Sequence, residues 1–172
     1  MKRIPLIGLG IAIATQFLIL IGLYVQAQIP LWLGEPIRVK TVPVDPRSLF
    51  RGNYARLSYD FSSIDQSAFK EDQPLRQGEV VYVSLKKHPP GLYVFSSVSL
   101  EKPQKGIFLR GRVMGNRWRN NAGYRIKYGI EAYFAPREKA LELEDALRDG
   151  GVAELMVTPS GRAGLRKVVG NH

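Results

Sequence analysis

The sequence predicts a mainly β fold, a barrel or two-layer β domain with one packed helix, following a single N-terminal transmembrane helix. Three features of the chain lead there: an apolar run from Ile4 to Val25, about eight later segments in which apolar residues alternate, and one stretch near residues 136–149 with helical spacing.

The apolar run is preceded by Lys2 and Arg3, is interrupted only by Thr15 and Gln16, and is followed by no acidic residue before Glu35. At ~1.5 Å per residue a helix of this length covers roughly 30 Å, the thickness of a bilayer's hydrocarbon core. A helix packed on a soluble core would keep one polar face, and this run has none. Lys2, Arg3 and the terminal amine flank one end, and no Lys or Arg follows until Arg38. The positive-inside bias then keeps the N-terminus in the cytoplasm and exports the remainder, as a single-pass protein of a bacterial cytoplasmic membrane with an extracytoplasmic, periplasmic domain. Tyr24 and Trp32 suit an aromatic belt, and Pro30 is a natural stop for the helix. The competing reading is a signal peptide cleaved after Ala27, since Val25-Gln26-Ala27 has small residues at an acceptable spacing. The apolar core is longer than the ~7 to 15 residues of a signal's h-region, which favours an uncleaved signal-anchor. The chain therefore divides into an anchor at 1–29, a linker at 30–36 and an exported β-rich domain at 37–172.

Beyond the linker, strands are expected at Ile37–Val44, Tyr54–Phe61, Glu79–Lys86 and Leu92–Leu100. The third and fourth are separated by His88-Pro89-Pro90-Gly91, which must turn. Ile107–Met114 and Tyr124–Phe134 form a hairpin, with Ile107, Leu109 and Val113 facing Ile126, Tyr128, Ile130 and Phe134. Val152–Thr158 and Ala163–Val169 pair through Pro159-Ser160-Gly161. Between these pairs, Pro136 in a first turn, Ala140, Leu143 and Leu147 on one side and Gly150-Gly151 as a stop predict the helix. Ser62–Gln77 has the weakest pattern and reads as a surface loop or short helical turn.

Composition narrows the chemistry. The chain has no cysteine, so thiol catalysis and cysteine-ligated metals are excluded and the domain must hold by burial and hydrogen bonding. His88 and His172 are the only histidines, which argues against a triad or a His-rich metal site. Lys2 and Arg3 account for two of the ten net positive charges, leaving +8 on the exported part. Such a surplus favours anionic lipid or an acidic envelope polymer; nucleic acid lies on the wrong side of the membrane.

One stretch, Val44 to Tyr59, has a recognisable pattern. Asp45-Pro46 starts a turn, Arg47 and Arg51 follow, Gly52 permits positive φ, and Tyr54, Leu57 and Tyr59 enter a strand. This stretch resembles the GDYxxLxY-motif family of bacterial membrane-anchored proteins, a family defined by that string rather than by an activity. The likeness extends more weakly to Gly129-Ile130-Glu131 with Tyr133, Pro136 and Glu138. Asn53 stands where the family string has Asp. Asn keeps the local hydrogen bonding of a turn and loses the charge, so the motif reads as architectural rather than catalytic. The stretch is also superficially similar to the nucleophile segment of membrane-bound signal peptidases, but Pro43 occupies the nucleophile position, Ser48 is out of place, and Lys86 and Lys87 are adjacent like charges that face water.

A binding surface is expected on the hairpin. Arg110, Arg112, Arg125 and Lys127 alternate with the apolar residues and project to one outer side, and the loop adds Arg117, Trp118 and Arg119. An anion or headgroup surface would relieve their repulsion, whereas a solvated, aggregation-resistant sheet edge is the plain alternative. The chain is thus read as a membrane-anchored extracytoplasmic binding or interaction protein of a membrane or envelope assembly. Its expected partners are the membrane, other integral membrane proteins and anionic lipid or envelope polymer, with no cofactor, metal or catalytic residue assigned. The alternatives are an envelope hydrolase using carboxylates such as Asp45, Asp60 or Glu131, and an anchored ligand sensor.

Overall fold

A run with no polar face folds into a helix that buries almost nothing: α1 spans Arg3–Leu33, 31 residues, and its side chains from Ile7 through Ala27 stand exposed. The structure is a computed structural model that describes residues 3–42, 54–69, 74–114, 123–134, 147 and 150–170. Over Ile7–Leu33 α1 is long and apolar enough to cross a membrane. Pro30 does not stop it. Proline removes an N–H and costs about 3 kcal/mol inside a helix, but here Pro30 is buried and α1 packs on two strands at its C-terminal end. Tertiary contact outweighs the local penalty. Gly34 is the single residue between α1 and the first strand, and its N–H donates back to Pro30 O at 3.0 Å.

The strands are β1 Glu35–Val42, β2 Tyr54–Arg56, β3 Ser58–Tyr59, β4 Ser63–Asp65, β5 Val80–His88, β6 Leu92–Ser99, β7 Ile107–Met114, β8 Gly123–Lys127, β9 Ala132–Phe134, β10 Gly151–Val157 and β11 Ala163–Gly170. The main sheet runs β11-β10-β1-β6-β5-β7-β8-β4, with β3 also on β1 and β2-β9 forming a separate pair. Its pairings are antiparallel except β1 with β6. The chain itself bends this sheet: Tyr59 pairs with Thr41 of β1, and Ser63, four residues on, pairs with Arg125 of β8 near the far edge. Strands well apart on the path are therefore tied by one short 3-10 turn, Asp60–Ser62, which touches β1, β6 and β8. The sheet curls into a half-barrel.

Period-two alternation fills its inside. Val39, Val81, Val83, Leu109, Ala153 and Leu155 are 0% exposed, and Ile37, Val113, Ile126, Tyr59 and Phe61 join them in one core. The mainly β expectation holds, and β7 pairs with β8 as a hairpin in the register Arg112↔Lys127, Val113↔Ile126, Met114↔Arg125.

Two expected strands are broken. Tyr54–Phe61 divides into β2, β3 and the 3-10 turn, and Tyr124–Phe134 divides at Gly129, where φ is +88°. Past that point β9 leaves the main sheet to pair with β2, so Phe134, expected inside, is 75% exposed. Within Ser62–Gln77 the described residues hold the short helical turn, a 3-10 turn at Gln66–Ala68, and add the strand β4, with Ile64 and Phe69 buried. The expected helix at 136–149 lies outside the described residues apart from Leu147, which is buried and whose carbonyl accepts the N–H of Gly150.

Candidate functional site

The part of the motif within the described residues is bonded to the segment around Glu131. β2 pairs with β9 as Tyr54↔Phe134, Ala55↔Tyr133 and Arg56↔Ala132. The Leu57 N–H donates to Glu131 O at 2.9 Å, and the Tyr59 hydroxyl donates to Ile130 O at 2.8 Å. Glu131 in turn accepts the N–H groups of Tyr128 and Gly129 on its carboxylate, which closes the turn that ends β8. Aromatic packing completes the joint. The Tyr59 ring stacks on Phe61 at 5.2 Å, Phe61 meets Tyr128 edge-on at 5.4 Å, and the Tyr128 hydroxyl donates to Phe61 O at 2.7 Å. Offset and edge-on geometries of this kind favour the ring quadrupoles. Leu57 and Tyr59 are thus buried supports. Asp45, Pro46, Arg47, Arg51, Gly52 and Asn53 lie outside the described residues.

The carboxylates near this joint serve the backbone. Asp60 accepts the Phe61 N–H at 2.9 Å; partial burial raises its pKa from the ordinary aspartate value, partly offset by that amide bond. Burial likewise pushes the phenols of Tyr59 and Tyr128 above the ordinary tyrosine value, with the Glu131 charge adding to the effect. Because the folded state holds these protons more tightly than the unfolded chain, their contribution is fully present below about pH 10 and lost as pH rises beyond it. In the alkaline range each tyrosine should cost about 1.4 kcal/mol of stability per pH unit. Urea unfolding of the detergent-solubilised chain at rising pH checks this: Tyr59→Phe and Tyr128→Phe should each flatten the alkaline decline, and an unchanged slope would contradict the assignment.

The basic residues converge elsewhere. The register places Arg112 opposite Lys127 and Arg125 opposite Met114, so like charges face each other across β7 and β8. Arg112 Nη1 donates to Gly78 O at 2.9 Å. A groove of about 460 Å³ takes in Arg110, Arg112, Lys127 and Tyr128 and gains a fourth cation, Arg162, that sequence reasoning missed. Arg162 arrives on the turn between β10 and β11. That turn is held by the Gly161 N–H to Thr158 O (2.9 Å) and the Thr158 N–H to Arg162 O (2.9 Å), and the Arg110 N–H donates to Gly161 O at 2.7 Å. The turn is thereby clipped to β7. Among the described residues no carboxylate lines the groove and none forms an ion pair with its four cations. Arg125 is exposed on the same strand as Lys127 but does not line the groove, and Arg117, Trp118 and Arg119 lie outside the described residues. No local signal announces Arg162, since its neighbour Arg110 is far away along the chain.

Fold and site together define a class: a half-barrel β domain mounted without a spacer on an apolar helix of bilayer-crossing length, with a tyrosine-rich motif strand locked to a Gly-Ile-Glu turn. A family model described as GDYXXLXY protein matches residues 16–168, and the chain belongs to that family. No curated protein and no solved structure matches it.

Proposed function

We propose that the protein is a single-pass membrane-anchored binding module whose exported half-barrel engages an anionic envelope component or membrane-protein partner through the basic groove. The observation supporting this reading is the convergence of Arg110, Arg112, Lys127 and Arg162 from two strands and a distant turn, with no carboxylate among the described residues that line the groove. Like charges held together in the folded state repel unless an anion relieves them, and guanidinium groups suit phosphate or carboxylate in particular. Asp60 and Glu131, the described carboxylates a hydrolase would draw on, are engaged by backbone amides, which favours binding over chemistry.

The test compares charge reversals of equal size. Arg110→Glu with Arg162→Glu should lower binding of the full chain to polyphosphate at least about tenfold at low salt, since every cation that pairs with a phosphate adds its own salt-screened attraction. Lys86→Glu with Lys87→Glu changes the same charge on exposed residues outside the groove and should leave most of the binding intact. Equal weakening in both variants would reduce the groove to net charge alone.

A further inference from the structure

We infer that a second groove, at the foot of the half-barrel where α1 meets β1, holds the headgroup of an anionic phospholipid. This rests on α1 spanning a bilayer, and adds to that reading a specific lipid contact.

Position comes first. The groove, about 730 Å³, is bounded by Leu33–Glu35, by the loop residues Lys102 to Gly106 with Ile107 and Phe108 at the start of β7, and by Val157–Pro159. Its depth relative to α1 is set by packing: Pro30 is buried, Leu31 lies over Gly164, and Gly34 is pressed between the last turn of α1 and the backbone of Met156 and Val157. With Gly34 alone separating helix from strand, a groove walled by Leu33 lies where the apolar helix ends, at the level of the headgroups.

The chemistry suits that level. Lys102 and Lys105 are exposed on the groove's loop, and among the described residues neither forms an ion pair. Lys102 Nζ stands 5.9 Å above the Phe108 ring, an aromatic support that keeps the ammonium at the wall. Leu33, which also lines the groove, is 73% exposed and belongs to the last turn of the apolar helix α1. Cations together with an exposed apolar residue at the end of α1 match an amphiphile's phosphate and the start of its chains. Glu35 is the one acid among the described residues of the groove, and it suits the hydroxyl or ammonium end of a headgroup better than its phosphate. A bilayer supplies such a phosphate at this depth permanently.

The site is separate from the basic groove. The β10–β11 turn crosses β7 between them, with Gly161 lying against the Phe108 ring and bonded to the Arg110 N–H. Changes in one groove can therefore be made without touching the other.

The full chain reconstituted into phosphatidylcholine nanodiscs, with and without phosphatidylglycerol, tests the inference by counting lipids retained in native mass spectrometry. Wild type should retain phosphatidylglycerol in preference to phosphatidylcholine. Lys102→Glu with Lys105→Glu should reduce that preference about tenfold or more, Lys102→Ala with Lys105→Ala by a smaller factor, and Arg110→Glu with Arg162→Glu should not change it. Undiminished preference in both lysine variants would overturn the site, as would displacement of the lipid by inorganic phosphate, which would assign the groove to a soluble anion. Release of wild type from membranes by carbonate would overturn the anchor itself, an outcome distinct from intact anchoring with indifferent lysines.

Discussion

Tyr59→Ala should lower the stability of the half-barrel by about 3–5 kcal/mol, the range for truncating a buried aromatic. Tyr59 is 2% exposed and sits where the structure is most constrained. Its backbone pairs with Thr41 of β1, its ring stacks on Phe61, and its hydroxyl donates to Ile130 O 71 residues away. Truncation would open a cavity at the joint that curls the sheet and would leave a buried carbonyl without its donor. Tyr59→Phe keeps the ring and removes only the hydroxyl, so about 1–3 kcal/mol is expected from the orphaned acceptor. Guanidinium unfolding of the solubilised chain, followed by near-ultraviolet circular dichroism, separates the two. A midpoint shift no larger for Ala than for Phe would mean that the ring's packing matters less than its hydrogen bond.

Gly34→Ala should be nearly as damaging, about 3 kcal/mol, since overpacking against backbone stands at the upper end of the usual range. Its damage should be local to the junction. A Cβ here would lie 2.7 Å from Met156 C and 2.8 Å from Val157 N, and closer still to Pro30 O. All three are backbone atoms, so no rotamer change can make room. The strain is relieved if α1 separates from β10 and β11, which exposes the chain near Leu33. Limited proteolysis of the variant in detergent should therefore cut between helix and half-barrel faster than in wild type. Equal cleavage rates together with an unchanged melting temperature would show that the junction tolerates a side chain.

The apolar helix and most strands were legible because each depends on residues close together in the sequence. Val81, Val83 and Leu85 alternate inward within one strand, and Leu109 and Val113 do so in another; all five are buried. Where local pattern misled, a distant partner had overruled it. Tyr124 to Phe134 alternates well enough for one strand, yet past Gly129 the chain leaves the main sheet and β9 pairs with β2, far back in the sequence. Pro30 is locally a helix stop, yet it lies within α1 and is buried.

The site divides in the same way. Arg110, Arg112 and Lys127 could be placed on one face from period two alone, because side-chain direction along a strand is a local property. Arg162, Lys102 and Lys105 could not, because their neighbours are set by where two turns land on the curled sheet. Hydropathy and alternation, read along the chain, were sufficient for a membrane-length helix, a β-rich remainder and a family motif: each is a sum over adjacent residues. The curl that joins Tyr59 to Ile130, the spacer-free mounting of the half-barrel on α1 and the two basic grooves were decided by folding, since contacts between remote segments depend on a register and a bend that no short stretch encodes.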